Sequence, residues 1–226
     1  DSTNFVALSH PSAPAQAGDC YVQDPSTAIA CELLEPQPGE KVLDACAAPG
    51  GKSAYLAEMM TNEGILIAVD REESRLQRLR ENFVRLGVKN ARILACDWTN
   101  DRSVRATGLI EGSFDKILLD APCTNTGVMR RRVDVRWRLR PDDIAHMAQE
   151  QLTILRAVAP LLKSGGSLVY STCSLEPEEN DEVVQSFLAS RSDFCLTGCK
   201  EKLPFRDHFD GAFAAHLLHR GEGLHR

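Results

Sequence analysis

Two cysteines close apolar runs that read as buried strands. Cys123 follows FDKILLD within Asp120-Ala121-Pro122-Cys123, and Cys173 ends SLVYSTC. A deprotonated cysteine is a strong nucleophile at neutral pH, so a thiol at a strand end is a candidate for covalent catalysis. The two strands are expected to be neighbours in a sheet, which brings both thiols to one pocket. Residue type alone does not rank them, because thiolate reactivity is set by nearby charge and exposure. Carboxylates recur at the same kind of position: Asp44, Asp70, Asp97 and Asp120 all stand at or beside strand ends.

After Asp44 and Ala45 comes the run Cys46-Ala47-Ala48-Pro49-Gly50-Gly51-Lys52. Small residues let a backbone approach a ligand closely, and a helix N-terminus follows, which together suit a nucleoside cofactor. Glycine is missing from the first positions of both G-x-G-x-x-G and G-x-x-x-x-G-K-[ST]. That weakens the dinucleotide oxidoreductase and nucleoside-triphosphatase readings. Asp70 ends the next strand about twenty residues past the glycines, where a carboxylate can accept both hydroxyls of a ribose. Asp97 ends the strand after that, and Arg75, in the intervening helix, joins the candidate cofactor set. The plainer alternative is that these aspartates cap helices.

The elements that must position these residues alternate. Periodicity predicts a helix from Pro25 to about Glu35, a strand KVLDAC, a helix SAYLAEMM, a strand ILIAVD and a helix from Glu72 to about Leu86. A strand ARILACD, a short helix near Ser103 to Leu109, the strand FDKILLD, an arginine-rich loop and a helix from about Pro141 to Leu162 follow. After SLVYSTC come a helix from Glu176 to Ala189 and two weaker strands, Phe194 to Leu196 and Gly211 to His216. Such alternation predicts an α/β fold with a mainly parallel seven-stranded sheet and helices on both faces. Ligands bind such sheets at the carboxyl ends of the strands, where the order reverses.

The chain has 226 residues, 43% hydrophobic and 26% charged, the composition of an ordinary globule that can bury a sizeable core. Residues 1–24, rich in Ala, Pro and Ser, read as an extension or the remnant of a preceding region, and 25–226 as the domain itself. On that reading the chain is a piece of a longer protein. No stretch reaches the roughly 18 apolar residues of a membrane span, and the start lacks a secretory signal, so a cytoplasmic location is expected. Cys195 and Cys199 form the one close cysteine pair, without a partner at finger-like spacing, and no metal is expected.

A net charge of −6 argues against a surface that is basic overall. The exception is RRRVDVRWRLR, Arg130 to Arg140, with six arginines against Asp134. Arg130, Arg131, Arg132 and Arg136 are candidates to hold phosphates, and Trp137 offers a face on which an unstacked base can lie.

The run DACAAPGGK, the tetrapeptide DAPC, the loop RRRVDVRWR and YSTCS, in this order, resemble the motifs of the RNA cytosine-5 methyltransferase family. This is the group of Sun/RsmB-type 16S rRNA methyltransferases and their Nop2 and NSUN relatives. The resemblance runs from Tyr21-Val22-Gln23-Asp24 to Asp210-Gly211-Ala212-Phe213-Ala214-Ala215. It implies a Rossmann-like class I fold and S-adenosylmethionine as cofactor, wrapped by Cys46 to Lys52, with Asp70 on its ribose, Asp97 by its adenine and Asp120 near the methyl donor. It implies a monomer acting on RNA, rRNA before tRNA, by methylating carbon 5 of a cytosine. Carbon 5 is a poor nucleophile until a thiolate adds to carbon 6, so the reaction demands a cysteine. The resemblance makes Cys173 that nucleophile and gives Cys123 the breakdown of the adduct. DNA enzymes, which place the nucleophile in Pro-Cys, carry a Glu-Asn-Val motif that is absent here. A non-catalytic RNA-binding relative would be expected to have lost a cysteine or the cofactor turn, and this chain has both. Thr124-Asn125-Thr126-Gly127 departs from the Ser-Gly-Thr-Gly type of loop common in relatives, and Cys96 is read as structural.

Overall fold

The computed structural model describes residues 12–220. The first eleven residues of the predicted extension and the last six of the chain lie outside them. Within the rest of that extension, Ser12–Ala17 forms a short helix, α1. Its far end is tied to the body by the Arg85 guanidinium, which donates to Ala15 O and, at 3.1 Å, to Cys20 O.

The chain then runs α2 (Ala28–Leu34), β1 (Lys41–Asp44), α3 (Gly51–Met59), β2 (Ile65–Asp70), α4 (Glu73–Arg85), β3 (Ala91–Ala95), α5 (Asp101–Ala106) and β4 (Phe114–Asp120). It continues with α6 (Val135–Arg138), α7 (Pro141–Val158), β5 (Leu162–Thr172), α8 (Asp181–Ser190), β6 (Phe194–Lys202), α9 (Pro204–Asp207) and β7 (Ala212–His219). Among the described residues there is one seven-stranded, mainly parallel sheet, as the alternation predicts, and its strand order is β3-β2-β1-β4-β5-β7-β6. β1 to β5 are parallel, and β7 runs antiparallel between β5 and β6.

The strands form because their residues are apolar on both faces: Val42, Leu43, Leu66, Val69, Ile117, Leu118, Leu168 and Val169 are buried. Helices cover them with apolar stripes at helical spacing, Leu76, Leu79 and Phe83 on α4 and Ile154, Leu155 and Val158 on α7. The strand order reverses between β1 and β4. A crevice therefore opens above their carboxyl ends, where the Cys46–Gly50 and Ala121–Asn125 turns leave the sheet.

Several element boundaries differ from the periodicity. The helix predicted through Leu162 stops at Val158, because Pro160 cannot continue it; a single 3-10 turn intervenes and Leu162 already pairs with Phe114. Asn100 caps the helix after β3, accepting from Arg102 N and Ser103 N, so it begins at Asp101 rather than Ser103. The arginine-rich loop contains the short helix α6, and both terminal strands are longer than predicted.

Candidate active site

The turn after β1 is fixed by backbone hydrogen bonds. Ala47 N donates to Val69 O at 2.8 Å, and Ala48 N donates to Asp70 Oδ2 at 3.1 Å. Arg75 closes the arrangement, its Nη2 donating to Ala48 O at 2.6 Å and its Nη1 lying 3.4 Å from Asp70 Oδ1. Gly50, at the start of α3, has φ +108°, and a Cβ there would lie 2.6 Å from Leu79 Cδ1. Both the handedness and the contact require glycine. Asp70 Oδ1 also accepts from Glu72 N at 3.3 Å, just ahead of α4, whereas α5 is capped by Asn100 and Asp97 Oδ1 accepts from Thr99 N and Oγ1 at 2.9 and 2.6 Å. The Thr99 hydroxyl holds the Asp97 carboxyl below the ordinary carboxylate range. Its second oxygen receives no hydrogen bond from the described residues.

Lys52, the second residue of α3, reaches across the crevice to β4. Its Nζ donates to Asp120 Oδ2 at 2.7 Å, while Ser171 Oγ donates to Asp120 Oδ1 at 2.8 Å. Burial works against the ammonium, and the Asp120 charge more than offsets it, leaving Lys52 above the usual lysine range. Below this pair, Asp44 is buried and accepts from Ser53 Oγ at 2.6 Å; burial pushes its carboxyl up to about 7. Burial and the surrounding aspartates keep the Cys46 thiol far above its ordinary value, so it stays protonated.

Cys123 and Cys173 meet as their strand positions predict. β4 and β5 are paired, with Asp120 opposite Ser171, and the two Sγ atoms lie 3.2 Å apart. The environment ranks them where residue type could not. A hydrogen bond from Cys123 draws the Cys173 thiol below its usual range, against burial and Asp120, with Lys52 and Arg132 helping. The same contact, burial and the charges of Cys173 and Glu179 push Cys123 well above it. Asn125 completes the pair: its Nδ2 donates to Cys123 O at 2.7 Å, and its Oδ1 lies 3.3 Å from Cys173 Sγ. Asn125 sits at φ +65°, a left-handed conformation that asparagine tolerates better than most residues.

These groups share a cavity of about 660 Å³. Its wall includes Cys46, Ala48, Pro49, Lys52, Asp70, Arg75, Asp97, Asp120, Cys123, Cys173, Arg131 and Arg132. Ala47, Gly50 and Gly51 of the same turn are not part of this wall, nor are Arg130, Arg136 and Trp137. Cys96 is buried with its Sγ accepting from Ser103 Oγ at 3.7 Å, and it also forms part of the wall.

The arginine-rich segment divides in two. Arg130 and Arg131 are held by two buried carboxylates, Asp24 and Asp210. Asp24 Oδ2 lies 2.6 Å from Arg130 Nη2 and 2.7 Å from Arg131 Nη2, and Asp210 Oδ2 lies 2.9 Å from Arg131 Nε. Arg132 and Arg136 are exposed and make no ion pair among the described residues, and Trp137 is 87% exposed. No role for Asp24 or Asp210 was apparent from sequence; only their places in YVQDPS and FDGAF mark them. Among the described residues no helix is long and apolar enough to cross a membrane, and no three His, Cys, Asp or Glu side chains gather as a metal would need.

Comparison with known proteins places the chain in a family. The probable ribosomal RNA small subunit methyltransferase B of Bacillus subtilis (strain 168) is 44% identical over 179 residues, 79% of this chain and 39% of the relative. Ribosomal RNA small subunit methyltransferase B of Citrobacter koseri is 44% identical over 210 residues, 90% of this chain and 48% of the relative. The chain thus spans less than half the length of these curated relatives. NSun6 from Pyrococcus horikoshii, solved with the S-adenosylmethionine analogue SFG, superposes with a TM-score of 0.83 at 31% identity, covering 96% of this chain and 57% of that one. The family model described as 16S rRNA methyltransferase RsmB/F matches residues 31–218, and the chain belongs to that family.

Proposed function

We propose that this protein methylates carbon 5 of a cytosine in RNA, with S-adenosylmethionine as cofactor and rRNA as the first-choice substrate. The observation that carries the reading is the Cys123–Cys173 pair, 3.2 Å apart at the ends of adjacent strands beside Lys52 and Asp120. Methylation at a ring nitrogen or at a ribose oxygen has no use for such a pair. The cofactor supplies an electrophilic methyl group. The cavity suits it in size, and Asp70 and Asp97 end neighbouring strands, offering carboxylates to ribose hydroxyls and to an amine.

In this reading the Cys173 thiolate adds to carbon 6, and the electrons of the 5,6 double bond become available at carbon 5. Once carbon 5 carries the methyl, loss of its proton and departure of Cys173 restore the aromatic ring. Cys123 serves this second half. Lys52 and Asp120 hold the reacting end of the cavity polar and fixed. The target base must leave its stack to reach the thiol, and the exposed Arg132, Arg136 and Trp137 would engage the strand around it. The test is transfer of a labelled methyl group from S-adenosylmethionine to 16S rRNA, followed by digestion to nucleosides. Label in 5-methylcytidine is expected; label in a ribose-methylated or N-methylated nucleoside would overturn the reading.

A further inference from the structure

Glu179 has no exposed surface and touches no cation among the described residues, yet it sits between the loops that carry the two cysteines. Its Oε1 accepts from Thr124 N and from Gln151 Nε2, each at 2.9 Å, and its Oε2 accepts from the hydroxyls of Thr124 and Ser174. Thr124 follows Cys123 and Ser174 follows Cys173. Gln151 Nε2 also donates to Pro122 O at 2.8 Å, so the chain on both sides of Cys123 is bound through this carboxylate. Behind it, Tyr170 Oη donates to the Glu179 carbonyl at 2.5 Å.

A buried carboxylate is costly unless donors compensate it, and a structural link between two loops needs no charge. Three of the four hydrogen bonds that the carboxylate accepts come from Thr124 and Gln151, which hold the chain around Cys123, and one comes from Ser174, whereas Lys52 and Arg132 line the cavity and draw the Cys173 thiol down. Asp120 is the other carboxylate near Cys173, and it is paired with Lys52. We propose that Glu179 is a positioning residue for the reaction: its carboxylate locks the two cysteine loops together and keeps the shared proton on Cys123, leaving Cys173 as the thiolate. The inference rests on the two-cysteine reading above.

The test is the initial rate of alkylation by iodoacetamide at each cysteine, resolved by mass spectrometry across a pH series, in wild type, Glu179→Gln and Glu179→Asp. Around neutral pH, wild-type Cys173 should react at least about tenfold faster than Cys123. Glu179→Gln should bring the two rates to within about threefold, chiefly because Cys123 begins to ionise at lower pH. Glu179→Asp retains the charge and should restore most of the preference while slowing methyl transfer, since the shorter side chain cannot span Thr124 and Ser174. Cys31, fully buried, serves as the internal measure of an intact fold. If Glu179→Gln fails that measure, the Asp variant carries the test alone. A folded Gln variant with the wild-type preference, or a folded Asp variant that has lost it, overturns the proposal. A wild-type protein in which Cys123 reacts first overturns the two-cysteine reading itself, and this inference with it.

Discussion

Asp24 and Arg131 stand 107 residues apart in the chain and meet at 2.7 Å, with Arg130 and Asp210 completing the cluster. The cluster joins the segment before α2, the arginine-rich loop and the turn before β7 around one side of the cavity. Asp24 Oδ1 also accepts from Ser26 N at 3.0 Å and Asp210 N at 3.1 Å, so its loss leaves several donors without partners. Asp24→Asn should therefore lower folding stability by on the order of 2 kcal/mol, measured by denaturant unfolding. An unchanged midpoint would remove the cluster from the account of the fold.

The exposed arginines should behave differently. Arg132→Ala and Arg136→Ala should leave thermal stability unchanged and weaken RNA binding, each flattening the slope of log K against log salt by about one. Binding titrations at several salt concentrations decide this. A slope equal to wild type in both variants would exclude this loop from the RNA interface.

Lys52 and Asp120 act on Cys173 with opposite sign. Lys52→Met should shift the Cys173 alkylation profile to higher pH and Asp120→Asn to lower pH, each by about one pH unit. Shifts of the same sign would mean that the two residues act through packing rather than charge.

Asp44 carries a pH signature of its own. Burial holds its carboxyl up to about 7 in the folded protein, against an ordinary aspartate value of 3.8. An acid with a raised folded pKa contributes stability that is full below about pH 4 and is lost as the pH rises toward 7. Each tenfold change in proton affinity is worth about 1.4 kcal/mol. Asp44→Asn should remove this loss, so the difference in Tm between variant and wild type should move in the variant's favour from about pH 5 to pH 8. A difference that is flat with pH would place the Asp44 titration outside this window.

Much of the site was legible because parallel strands buried on both faces read as apolar runs, and their ends announce what faces the crevice. Asp70, Asp97, Asp120, Cys123 and Cys173 were found that way, as was the adjacency of the two cysteines. Their ranking was not legible from residue type, because it is set by the contact between the two thiols and by burial, Lys52 and Arg132, which tertiary packing brings together. The loads on Arg130 and Arg131 were hidden for the same reason: their partners lie 80 and 106 residues away from Arg130 in the chain. Local rules also lost to local exceptions at Pro160 and Asn100, which set helix ends that hydrophobic periodicity alone placed elsewhere.

The most direct test of the two-cysteine chemistry is denaturing gel analysis of covalent protein–RNA adducts with S-adenosylmethionine and 16S rRNA, comparing wild type, Cys173→Ala and Cys123→Ala. Cys123→Ala should accumulate an adduct that resists denaturation, because addition through Cys173 proceeds and release is slowed. Cys173→Ala should form none. An adduct that forms in Cys173→Ala and vanishes in Cys123→Ala would contradict the assignment and move the nucleophile to the Pro-Cys position.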